Sequence, residues 1–168
     1  MKTAQKLKII GFLMTIPFAS NALDCPSSGR LLTVSGATAT NSVSNEIQSG
    51  VMHLQLSDAS GVVYQKDCGL IGKVVRNTST GSLLDHTVIC GPADKFNTSE
   101  DLAPVTGTDA TPTTPATYYD IVEVISNIEQ GEGLFKNMRA DITATGRVNL
   151  TPPFNNDFTL AGEVCLKR

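Results

Sequence analysis

The stretch Arg139-Ala140-Asp141-Ile142-Thr143-Ala144-Thr145-Gly146-Arg147-Val148-Asn149-Leu150 decides the fold. Its even positions are Ala, Ile, Ala, Gly, Val and Leu; its odd positions are Arg, Asp, Thr, Thr, Arg and Asn. A strand sends successive side chains to opposite faces, so this order makes one apolar face and one wet face. A helix would scatter the same residues around its circumference. The segment that follows repeats the pattern. Phe158, Leu160, Gly162, Val164 and Leu166 alternate with Asp157, Thr159, Ala161, Glu163 and Cys165. Between the two lies Thr151-Pro152-Pro153-Phe154-Asn155-Asn156, and paired prolines cannot continue a central strand. The pair predicts a C-terminal hairpin with one face on a core.

Working outward, Thr117–Ile128 carries apolar residues on both faces, with Tyr119, Ile121, Glu123 and Ile125 on one of them. It is expected to be central, or to face another layer or another subunit. Cys68–Arg76 and Ser82–Cys90 flank the turn cluster Asn77–Gly81 and predict a long hairpin, with Gly69 and Gly72 marking a bulge or bend. Val51–Ser57 and Val62–Lys66 predict a further pair, and Arg30–Val34 a short first strand. Residues 91–116 hold four prolines and few large apolar residues, and are expected to form a long exposed loop pinned by Phe96 and Leu102. The fold class is therefore all-β, an antiparallel β-barrel with a β-sandwich as the alternative, in a single domain over residues 23–168.

The first 22 residues are expected to be a signal peptide. Lys2, Lys6 and Lys8 precede an apolar run from Ile9 to Ala19, and Ser20-Asn21-Ala22 supplies small residues for cleavage. Without them the chain has 10 Lys and Arg against 16 acids, a net charge of −6. That balance argues against nucleic acid as a partner, and no later stretch is long and apolar enough to span a membrane. The four cysteines Cys25, Cys68, Cys90 and Cys165 form an even set in a chain marked for export, and suggest two disulfides. Three pairings are possible; Cys68–Cys90 and Cys25–Cys165 are favoured, the first across neighbouring strands and the second tying the ends. A secreted or periplasmic location follows.

The last third also has a cadence: Gly131-Glu132-Gly133-Leu134-Phe135, the alternating strand through Gly146-Arg147-Val148, then Leu160-Ala161-Gly162-Glu163-Val164-Cys165. It resembles the endings of bacterial secreted relatives of the allene oxide cyclase and dirigent barrels. The resemblance covers residues 117–168, and more loosely 68–90. It implies an eight-stranded antiparallel barrel whose glycine-rich turn and following aromatic close one end. It carries over no catalytic residue.

Among single residues, two are candidates for acid–base work. His86 shares a strand face with Leu84 and Val88 and titrates near neutral pH. Glu123 sits among apolar neighbours, where burial would raise its pKa. The bland reading makes His86 a satisfied structural histidine and pairs Glu123 with an arginine or with water. His53 lies opposite an apolar face and is expected in solvent. There is no nucleophile elbow, phosphate loop or dinucleotide fingerprint, and the cysteine and histidine spacing fits no zinc site, so no metal and no cofactor are expected. The leading expectation is an exported, disulfide-stabilised barrel that binds a small apolar ligand or serves as a structural module, with a homo-oligomer as a possible assembly. A cyclase- or dirigent-like enzyme steering a reactive intermediate, and an adhesin- or pilin-like surface subunit, are the alternatives.

Overall fold

A computed structural model describes residues 23–167; the expected signal peptide, residues 1–22, lies outside the described residues. Ten strands follow one another: β1 (Gly29–Ser42), β2 (Ile47–Asp58), β3 (Gly61–Asn77), β4 (Gly81–Ile89), β5 (Lys95–Thr98), β6 (Asp101–Thr108), β7 (Tyr118–Ile125), β8 (Ile128–Glu132), β9 (Arg139–Asn149) and β10 (Asn155–Lys167). A single 3₁₀ turn, Gly133–Phe135, joins β8 to β9. All pairings are antiparallel, in the order β3-β2-β1-β10-β9-β7-β6-β4, and β3 also pairs with β4. That last pairing closes eight strands into a ring, which makes the fold a barrel and not a sandwich. Closure also leaves those eight strands without a free edge.

Alternation sets the inside and outside of the ring. On β9, Ala140, Ile142 and Ala144 are buried; on β10, Leu160, Val164 and Leu166 are. The main core runs around the whole interior, from Leu32 and Val34 on β1 through Leu54 and Leu56 on β2 to Leu70 on β3 and Val88 on β4. The tight coiling of long strands requires backbone freedom at Gly162, whose φ is +148° and where a Cβ would sit 2.2 Å from the Asp141 carbonyl oxygen across the ladder.

One end of the barrel is sealed. Phe135 is fully buried, edge-on to Tyr64 and Phe96 with ring centroids 5.8 Å and 5.0 Å away. Near it, β5 and β8 pair as a small flap; the disulfide Cys25–Cys165 ties the start of the described chain to the end of β10, and Cys68–Cys90 ties the middle of β3 to the residue after β4. The other end carries the β1–β2, β3–β4 and β9–β10 connections.

Several sequence expectations are corrected. Residues 91–116 are not a plain loop: they hold β5 and β6, and β6 is part of the barrel wall. Prolines are tolerated there because β6 is short and irregular, with Pro104 at its fourth position and a register shift after Val105. Phe96 does anchor this region, but Leu102 points outward and is 45% exposed, facing Val124 across the β6–β7 ladder. The two strands expected over 62–66 and 68–76 are one continuous strand, β3. Its register shifts fall at Val63, in the ladder with β2, and between Val74 and Arg76, in the ladder with β4, both away from Gly69 and Gly72. β1 reaches Ser42, well past the expected Val34, because β2 and β10 hydrogen-bond to it on both sides and small Ala and Thr residues still alternate along it. The glycine-rich segment before Phe135 is strand β8 followed by the 3₁₀ turn, not a simple turn.

Candidate functional site

The barrel is hollow above its aromatic floor. A cavity of about 900 Å³ runs from Phe135 and Phe96 up to the open end. Most of its wall is aliphatic, as the inward alternation dictates, with Leu54, Leu70 and Leu84 among the lining residues. Its volume falls in the range of small-molecule sites.

Two polar groups interrupt the apolar wall. The first lies on β10, β1 and β2. Asn156 is fully buried, and its Nδ2 donates to Gln48 Oε1 at 3.2 Å and to Ser42 Oγ at 3.3 Å. The Thr40 hydroxyl donates to the same Gln48 oxygen at 3.1 Å. This network is uncharged.

The second group sits on the facing strands β4, β6 and β7, half a turn of the ring away. Its backbone arrangement is unusual. β5 and β6 both pair with β4, one after the other: Asn97 lies opposite Thr87, while Asp101 lies opposite Leu84. The partner strand is thus interrupted opposite Asp85 and His86, and Glu100 in the interruption adopts a left-handed φ of 52°. Asp85 Oδ1 accepts the Glu100 amide at 2.9 Å, and Asn127 Nδ2 donates to Ser99 Oγ at 2.8 Å, so the break is held from both sides. Such breaks in a ladder re-aim side chains. Here the effect is to turn Thr98 and Asp101 toward His86.

The geometry is close. His86 Nδ1 is 3.0 Å from Asp101 Oδ2, and the Thr98 hydroxyl donates to the same carboxylate oxygen. The His86 amide donates to Thr98 Oγ1 at 3.1 Å. Glu123, inward-facing on β7, brings Oε1 to 3.6 Å from His86 Nδ1. Asp101 is 2% exposed and Glu123 7%. His86 has room because its cross-strand partner is Gly72, where a Cβ would come within 3.1 Å of the imidazole. His86, Thr98 and Glu123 line the cavity; Asp101 lies behind them. Glu123 Oε1 and Asp101 Oδ1 are both buried without a hydrogen-bond partner.

Burial pushes the Glu123 carboxyl up to about 7, against the opposing pull of His86 and with the help of Asp101. Burial acts to depress His86, but the Asp101 hydrogen bond and the nearby Glu123 and Asp101 charges outweigh it and hold the imidazole above its ordinary value. The result is a carboxyl that exchanges its proton near neutrality beside an imidazole whose protonated form is favoured, inside an apolar chamber. One donor atom from each of His86, Asp101 and Glu123 lies within 4.8 Å of the other two. His86 Nδ1 and Asp101 Oδ2 are engaged with each other, while Asp101 Oδ1 and Glu123 Oε1 have no partner. The distances describe a hydrogen-bonded set of His86, Asp101 and Thr98, with the Glu123 carboxyl beside it and outside the hydrogen bonds.

The structure therefore brings His86 and Glu123, far apart in sequence, onto one wall. Asp101 and Thr98 were missed because their segment reads as loop, and Gly72 because it reads as a bend. Apolar alternation would mislead at Asp101, since it would turn Leu102 inward, whereas Asp101 and Ala103 are the buried residues. His53 is on the outer surface, beside Asp67. No protein-family model, curated protein or solved structure matches the chain, so its reading rests on its own residues.

Proposed function

We propose that the chain is an exported container for a small, mainly apolar molecule, held in the barrel lumen with its polar end at His86 and Glu123. The single observation that carries this reading is the cavity of about 900 Å³, apolar along most of its wall and open at one end. A barrel of eight strands has just enough interior either to fill with side chains or to hold one small ligand. Here inward positions such as Ala103 and Ala144 are small enough to leave space. Export fits the two disulfides, which are compatible with an oxidising extracellular or periplasmic setting. Native mass spectrometry of the oxidised protein with a panel of apolar small molecules tests the reading. Uptake in the parent chain, lost in Ala144→Phe, supports it; Ala144 lies directly opposite Glu123 on the neighbouring strand. A parent chain that takes up none of the panel sinks it.

A second reading, an enzyme of the cyclase or dirigent kind, is favoured by one specific observation. Glu123 is a buried carboxyl poised at about 7 beside His86, in the chamber where a substrate would lie. In that reading Glu123 moves a proton to or from the bound molecule, Asp101 orients His86, and the apolar wall keeps a reactive intermediate from water. Glu123→Gln would then retain binding and lose turnover. Donor-strand assembly of the pilin kind needs a gap in the sheet, and the eight-strand ring has none among the described residues.

A further inference from the structure

We propose that the lumen selects molecules whose polar head is a positively charged hydrogen-bond donor, an amine in its ammonium form, and turns away carboxylates. This rests on the container reading above and adds the chemistry of the occupant's head. The first support is Glu123 itself. Glu123 lines the cavity, and its Oε1 is buried and accepts no hydrogen bond. A buried acceptor without a donor is costly, and a ligand that supplies the donor removes that cost.

The second support is the charge inventory of the wall. Among the described residues lining the cavity, Glu46 at the mouth and Glu123 at depth are acids, and none is Lys or Arg. His86 is the one basic side chain, and its Nδ1 is already committed to Asp101 at 3.0 Å. The cluster thus sets two carboxyl groups against one imidazole. A ligand carboxylate would bring a third acid into a low-dielectric chamber, where like charges repel strongly. An ammonium brings the missing positive charge and up to three N–H donors.

The third support is the facing wall, which offers no counter-ion for an anion. Thr38, Thr40, Ser42 and Gln48 are all uncharged, and the Gln48 carbonyl oxygen already accepts from Thr40 and Asn156. An apolar carboxylate entering this lumen would meet no cation on the facing wall, and on the near wall only His86, which already serves Asp101 and stands beside Glu123. An apolar amine would pass Glu46 and end at Glu123.

The test uses three probes with the same tail: decylamine, decan-1-ol and decanoic acid, titrated calorimetrically into the oxidised protein at pH 8. The expected order is amine, then alcohol, then acid, with about tenfold or more between the amine and the acid. Glu123→Gln should bring the amine down to the alcohol's affinity, and continued binding of the alcohol reports an intact lumen in that variant. Acid binding as tight as amine binding overturns the proposal, as does an unchanged amine affinity in Glu123→Gln. Alcohol binding without any amine preference defeats the head-group inference and leaves the container standing. Failure of all three probes to bind removes both.

Discussion

The two ends of this barrel are made from the same alternating strands and come out differently. At the sealed end, large side chains interlock: Phe135, Phe96, Tyr64 and Met138 fill the space, and two disulfides and the β5–β8 flap close around them. Toward the open end the inward positions include Thr38, Thr40, Ala103 and Ala144, with a smaller cluster at Leu84 and Ile121, and the side chains leave a cavity between them. Alternation decides which side chains point inward; their size decides whether the inside is solid. The sealed end should therefore carry most of the stability and the open end most of the binding, with the His86–Asp101–Glu123 group at the boundary.

That division can be broken most directly at Phe135. Phe135→Ala should cost about 3–5 kcal/mol, measured by urea unfolding of the oxidised protein. A loss below about 1 kcal/mol would mean the floor is not the stabilising half. Next in size is the local staple. Replacing Cys68 and Cys90 together by Ala frees a loop of 22 residues and should cost about 3 kcal/mol by chain-entropy reasoning. Unfolding midpoints of the variant against the oxidised parent check it.

The boundary group predicts a pH dependence. The folded chain keeps the Glu123 proton up to about pH 7, whereas an ordinary glutamate releases it near 4.5. Between those values the folded state binds more protons, so stability falls as pH rises. His86 acts in the same direction: its raised pKa stabilises fully below 6.5 and that contribution is lost as pH rises through the folded value. The groups facing Glu123 are His86 on β4 and Asp101 on β6, and no Lys or Arg lines the cavity among the described residues. Thermal unfolding should show lower stability at pH 8 than at pH 5, by at most roughly 3 kcal/mol from Glu123. Glu123→Gln should flatten the slope; an equally steep slope in that variant would place the titrating group elsewhere. The smallest effect is expected at the mouth. Phe154, 37% exposed, should tolerate replacement by Ala at a cost below about 1 kcal/mol. A loss matching that of Phe135→Ala would erase the contrast between the ends.

The sequence was most legible where one face is consistently apolar. β9 and β10 could be read directly from Arg139 onward, whereas 117–128, apolar on both faces, left the direction of Glu123 open. Two features resisted. β1 beyond Val34 and β6 are built mostly from Ser, Thr, Ala, Pro and Gly, whose strand character comes from neighbours that hydrogen-bond to them and not from their own apolarity. The candidate site depends on that second feature. Thr98 and Asp101 meet His86 only because the ladder breaks around Glu100, and a broken ladder has no periodicity to read. Hollowness was hidden as well, since alternation gives direction and the cavity is a matter of summed volume.

The join between Cys25 and Cys165 spans 140 positions, so nearly all of the polypeptide lies within one covalent circle. A protease that cuts once inside that circle, in a connection at the mouth for instance, opens the circle without dividing the molecule. The fragments stay tethered, and the barrel wall can remain assembled around its contents. Wherever proteases are present, this makes a single nick a survivable injury.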